Sequence, residues 1–246
     1  RREVPESALY GVQTLRGIEN FRISKFHLNE YPLFIQALAI TKMGAAIANR
    51  ELDLLTKEQT DAILKACKEI LEGKYHDQFP VDMIQGGAGT TTNMNANEVI
   101  ANRALELMGH QRGEYQYCSP NDHVNRSQST NDAYPTAIHI GLYYTHLKLV
   151  KHFETLIQSF RKKGEEFANI IKMGRTQLED AVPMTLGQTF NGFASILEHE
   201  VKNLDFAAQD FLTVNMGATA IGTGITAEPG YAEKCIAALG KITGLD

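Results

Sequence analysis

Apolar positions three or four apart dominate the chain, and period-two alternation is nearly absent. From Pro32 to about Asn49, Leu33, Ala37, Ile40, Gly44 and Ile47 make one stripe, which predicts an amphipathic helix opened by proline. Thr56-Lys57-Glu58-Gln59 has the form of a capping box, so a second helix starts there. Its apolar face carries Ala62, Ile63, Ala66 and Ile70, with Cys67 on or beside it as core packing, and Gly73 stops it. A third helix is expected from about Asn95 to Met108. Two longer periodic segments follow. Ile138, Leu142, Leu149, Phe153, Leu156, Phe160, Phe167 and Ile171 predict a helix from about Pro135 to Lys172. Phe190, Phe193, Leu197, Val201, Leu204, Ala208 and Phe211 predict another from Leu186 to about Val214. Helices of that length point to a bundle. One short strand is expected, at Phe21-Arg22-Ile23-Ser24.

Three stretches break the helical pattern with polar residues. Residues 85–95 hold three glycines in four positions and then three threonines. Glycines before a helix let backbone N–H groups approach an anion, and the helix dipole helps. The spacing is neither a phosphate loop nor a dinucleotide fingerprint, so a carboxylate fits better than a nucleotide. Residues 120–132 carry Asn, Asp, Ser and Thr with Val124 as the sole apolar side chain. The plain reading is a loop with a cap, Thr130 or Asn131, for the helix that follows. The third stretch is Gly174-Arg175-Thr176-Gln177-Leu178-Glu179-Asp180-Ala181-Val182-Pro183. A later run of small residues, 217–224, reads as close backbone packing against neighbouring helices. The expected architecture is mainly α. A mixed, mostly helical N-terminal domain (1–130) leads into long helices of an incomplete central bundle (131–246).

Composition narrows the partners. Twenty-four Lys and Arg against 29 Asp and Glu give a net charge of −5, with no basic stripe for nucleic acid or an anionic membrane. Three cysteines, far apart and with no Cys-x-x-Cys pair, argue for a reducing compartment and against structural zinc. No apolar run reaches the about 18 residues that span a bilayer, and no signal pattern opens the chain, so a cytoplasmic location is expected. The first residue is not methionine and no terminal element closes the chain, so a piece of a longer protein is expected. Neutral donors on three loops suit a small polar anion, and they can stabilise an enediolate-like form as a neighbouring C–H proton leaves. Such chemistry needs a base. Asp122 and His123 are candidates for that role or for shaping the loop; His139 and His152 read as packed or solvated.

Taken together, the runs at 86–98, 120–132 and 174–183 resemble the aspartase/fumarase superfamily, in order and in spacing. The resemblance covers essentially the whole chain, from Tyr10-Gly11-Val12-Gln13-Thr14 to Gly222-Thr223-Gly224. Within it, the aspartase branch is the nearer. Met108-Gly109-His110-Gln111 with Gly113-Glu114-Tyr115-Gln116-Tyr117 is aspartase-like, as is Ser129-Thr130-Asn131-Asp132, where fumarases carry a second serine. Gln177 stands where fumarases have histidine, and Ser119 replaces a histidine before Pro120-Asn121-Asp122, so the fumarases' second anion site is not expected.

That resemblance implies reversible conversion of L-aspartate to fumarate and ammonia without an organic cofactor; it leaves Mg²⁺ activation open. It implies a substrate-binding set of Thr90, Ser129 and Thr130 on the β-carboxylate, Asn131 near the amino group, and Thr176 and Gln177 on the other side of the pocket. It further implies a homotetramer with active sites shared between subunits. The family's base is a serine in a loop Gly-Ser-Ser-x-Met-Pro-x-Lys-x-Asn, which residues 1–246 do not contain. No catalytic residue is therefore expected in this chain, the base serine being expected C-terminal to Asp246, and the fragment alone is expected to be inactive. Two other readings stand beside this one. A fumarate hydratase would act on malate and fumarate, against which Gln177 and Thr130 argue. A non-catalytic helical assembly piece would have no use for the polar loops.

Overall fold

The structure, a computed structural model, describes residues 2–85 and 89–245 of the 246. The fold is mainly α: α1 (Val12–Asn20), α2 (Pro32–Glu51), α3 (Lys57–Leu71), α4 (Thr90–Leu107), α5 (Thr130–Glu166), α6 (Leu186–Ala208) and α7 (Tyr231–Thr243). One antiparallel hairpin, β1 (Ile171–Thr176) and β2 (Glu179–Thr185), joins α5 to α6. Among the described residues no helix is long and apolar enough to cross a membrane. The chain divides into two compact units, Arg1–Leu142 with Leu212–Asp246, and Tyr143–Phe211.

In the first unit α2 packs against α3 and α7, α3 against α4, and α4 against α1. Pro32 opens α2 as expected, but the helix is buried on nearly every side rather than along one stripe. Its approach to α7 depends on Gly44, where a Cβ would lie 2.7 Å from Leu239 Cδ2. The capping box on α3 forms in both directions. Gln59 N donates to Thr56 Oγ1 (3.2 Å) and Thr56 N to Gln59 Oε1 (3.1 Å). Helix α4 starts at Thr90, five residues before the expected Asn95, because its inward-facing threonines and asparagines meet polar partners rather than a core.

The strand expected at Phe21–Ser24 does not form. The amides of Ile23 and Ser24 donate to the Asp82 carboxylate, at 2.9 and 2.7 Å, and so take a side-chain acceptor in place of a ladder. Burial would raise the pKa of Asp82, but these N–H bonds, that of Ile84 and the Ser24 hydroxyl hold it down to about 2.

Helix α5 likewise starts earlier than its proline suggested, with Pro135 inside the helix. A proline there lacks the N–H that would bond the carbonyl four residues back. Asn215 Nδ2 donates to that carbonyl, Asn131 O, at 3.1 Å.

The second unit holds the later part of α5, the hairpin and α6. Helix α5 ends at Glu166 instead of Lys172, and α6 at Ala208 instead of Val214. Four phenylalanines mesh between the helices, with ring centroids 5.7 Å apart for Phe160–Phe193 and for Phe167–Phe190. The Arg161 guanidinium reaches Glu198 Oε2 (2.8 Å) and Ser195 Oγ (3.1 Å). The hairpin turns through two residues, Gln177 (φ 50°) and Leu178 (φ 68°), a left-handed pair that usually calls for glycine or asparagine.

Candidate substrate-binding site

Helices α4 and α5 begin side by side in the first unit. α4 has no side-chain cap and no acidic residue in its first turn, so the positive end of its dipole meets no counter-charge from its own chain start. Thr90 is its first residue and is exposed. Gly89 precedes it with φ 84°, and a Cβ at that position would run into the Tyr134 ring. A cleft of about 650 Å³ opens here, lined by Gln85, Gly89, Asn131, Tyr134, Pro135 and Ile138 among others. The glycines Gly86 and Gly87 of the second polar stretch lie outside the described residues.

The start of α5 is tied down by Asp132. One of its oxygens accepts from Ser129 N (2.9 Å), the other from Gly217 N (3.2 Å) and Thr219 N (2.9 Å). Asn131 N donates to Ser129 Oγ (3.2 Å), and Asn131 Nδ2 to Ala220 O (2.8 Å). The small-residue run thus packs its backbone as expected. A Cβ at Gly217 would stand 2.5 Å from that of Ala232 on α7.

Beneath the two helix starts sits Lys42 of α2, fully buried. Its Nζ donates to Asn93 Oδ1 (2.7 Å), Gln128 Oε1 (2.8 Å) and Asn125 Oδ1 (3.0 Å). Asn93 Nδ2 then donates to Thr130 Oγ1 and to Asn125 Oδ1, each at 3.1 Å. Burial pulls the Lys42 ammonium down to about 7, against the field of the Asp132 carboxylate. The Cys67, Cys118 and Cys235 thiols are buried and pushed up to about 12 by that burial, so they stay protonated.

Residues 119–128 brace this arrangement. Ser119 N donates to His123 Nδ1 (2.7 Å), and Ser119 Oγ bonds Asp122 Oδ2 (2.9 Å). Burial lowers the His123 pKa. Asp122 and His123 are therefore engaged in shaping a π-type turn, Pro120–Val124. His139 meets Thr213 O at 2.8 Å. Among the described residues no group of three or more His, Cys, Asp or Glu is arranged to hold a metal ion.

Thr90, Ser129, Thr130 and Asn131 thus gather at two adjacent helix starts of the first unit. Thr176 and Gln177 belong to the second, exposed at the end of β1 and in the hairpin turn. The sequence reading missed Lys42, Asn93 and Gln128. The available signal was a lone charge inside the apolar run Ala39-Ile40-Thr41-Lys42-Met43-Gly44-Ala45.

The family described as Lyase matches residues 1–246. An aspartate ammonia-lyase of Pseudomonas canavaninivorans is 56% identical over 243 residues, 98% of this chain and 51% of that protein. A crystal structure of a fumarate lyase:delta crystallin from Brucella melitensis, bound to cobalt, superposes with a TM-score of 0.94 at 50% identity over 99% of this chain and 53% of that one. A class II fumarase from Schistosoma mansoni gives 0.89 at 36% identity, over 98% of this chain and 50% of that one. This chain spans about half the length of the curated relatives it matches.

Proposed function

We propose, since this chain belongs to the Lyase family matched across its whole length, that the complete protein is an ammonia-lyase interconverting L-aspartate with fumarate and ammonia. The observation that carries this reading is the pair of helix starts at which Thr90, Ser129, Thr130 and Asn131 lie beside an open cleft. Hydroxyls and uncapped amides there receive the β-carboxylate of the substrate. When the neighbouring carbon loses its proton, the carboxylate becomes a doubly charged enediolate, and donors already in place lower the cost of that charge. The C–N bond then breaks, ammonia leaves and fumarate remains. Asn131 faces the amino group, and Thr176 and Gln177 complete the substrate-binding set. Gln177 is an amide and does not titrate, which favours ammonia elimination over the hydration chemistry of relatives with histidine there.

The base comes from outside these 246 residues, and the reaction as drawn uses no organic cofactor. A homotetramer, its active sites shared between copies, supplies what one chain lacks; exposed apolar side chains such as Phe206 and Ile196 in the second unit support assembly. The location that goes with aspartate breakdown is the cytoplasm.

Ultraviolet absorbance of fumarate tests the reading, with L-aspartate and L-malate offered separately to the complete protein. Fumarate from aspartate alone is the expected result. Fumarate from malate alone would replace the proposal with a hydratase, and silence in both would leave a non-catalytic protein.

A further inference from the structure

The ammonium of Lys42 has three N–H donors and no acceptor, and it meets three side-chain carbonyl oxygens, those of Asn93, Asn125 and Gln128. That match fixes each amide's orientation. Turning any of the three over would set an N–H group against a buried cation. With its oxygen on Lys42, Asn93 must point its NH₂ the other way, where it donates to Thr130 Oγ1. A hydroxyl has one proton to donate. With an acceptor site of Thr130 Oγ1 filled by Asn93, its own O–H proton is turned from Asn93 and left for another partner.

We infer that Lys42 is a positioning residue, which through the Asn93 amide fixes the Thr130 hydroxyl as a donor to the bound carboxylate. The inference rests on the substrate-binding role proposed above for Thr130. Lys42 itself touches no substrate.

The charge state of Lys42 makes the idea testable. Of the titratable groups that face it, Asp132 on α5 carries the charge that favours the ammonium, the Cys67 thiol on α3 and the Cys235 thiol on α7 stay protonated, and burial opposes the charged form and wins. Once the amine is neutral, two N–H donors and a lone pair face three carbonyls, and one amide is free to turn. The sign for stability runs the other way. The folded pKa lies below that of the unfolded chain, so the folded state holds fewer protons between about 7 and 10.5, and this group's contribution to stability rises with pH across that window. A purely structural lysine therefore predicts a protein gaining stability there with unchanged substrate binding. A positioning lysine predicts weaker fumarate binding in the same window.

The experiment uses the complete protein and two readouts, kcat/KM for fumarate formation and the rise in melting temperature caused by added fumarate. Wild type is expected to lose both as pH rises through about 7, and Lys42→Arg, which cannot lose its proton, to flatten that limb. Because Lys42→Arg risks misfolding, a double-mutant cycle carries the test independently. Asn93→Asp keeps an oxygen for Lys42 and removes both donors; it should lower kcat/KM and fumarate affinity by about 10- to 100-fold. In a Thr130→Val background the same change should add less than about twofold, since its route is already cut. Additive losses, or fumarate binding that is level with pH, overturn the inference while the lyase reading stands. A wild type that neither forms fumarate nor is stabilised by it overturns both.

Discussion

The two units use apolar residues in opposite ways. The first buries Ile35, Leu38, Ile63, Ile70, Val99 and Ile100 completely or nearly so, together with charged Lys42, Asp132 and Glu98, each fully engaged in hydrogen bonds. The second leaves Leu147, Leu149, Leu156, Ile196 and Phe206 exposed, Phe206 at 82%. Both kinds of helix show the same three-to-four spacing in sequence. Periodicity therefore reports that a face is made for burial and is silent about what buries it. In the first unit α2, α3, α4 and α7 cover one another's apolar faces; in the second, the faces of α5 and α6 await something else.

The largest test of that contrast is a truncation on each side. Ile63→Ala, at 0% exposure, should cost the complete protein about 2–5 kcal/mol of unfolding free energy at every protein concentration. Phe206→Ala should act through assembly, with a loss that depends on protein concentration in denaturant titrations. A concentration-independent loss at Phe206 would break the comparison. Next in size, Thr130→Val should lower kcat/KM with aspartate by about 10²- to 10³-fold, with a stability loss of about 1–3 kcal/mol at most from the Asn93 N–H it leaves unpaired. Each unit also has an α-helix opened by a Thr/Gln capping box, Thr56 with Gln59 and Thr185 with Gln188. Thr56→Ala and Thr185→Ala should each cost about 1 kcal/mol, because a cap depends on local geometry and not on which unit holds it. The smallest effect should come from Leu178→Gly, which relieves a left-handed backbone at an exposed hairpin tip and should raise stability by up to about 1 kcal/mol.

Most helices were legible because their apolar spacing or caps are local signals. Pro32 and the Thr56 box mark their elements within a residue or two of where they form. The hairpin was not legible. Its β1 and β2 residues are exposed on both faces except near Gly174 and Met184, so no alternation marks them, and its turn lacks the usual glycine. The strand expected at Phe21–Ser24 failed because Asp82, some sixty residues away, takes its amides. The candidate site was legible as polar loops, yet the charge beneath them sits on a helix read as amphipathic, with Lys42 not singled out. Lys42 is 51 residues from Asn93 and 86 from Gln128, and only the fold brings them together.

The start of α5 has a consequence in time. Its proline-orphaned carbonyl is met by Asn215, its Asp132 by Gly217 and Thr219, and its Asn131 side chain by Ala220, all 84 to 89 residues later in the chain. A ribosome adding roughly 5 to 20 residues per second reaches Ala220 on the order of 5 to 20 s after Asn131. During that interval the turn bearing Ser129, Thr130 and Asn131 has none of these tethers. This turn is thus finished only after a segment more than 80 residues further along has been made and holds its backbone in place.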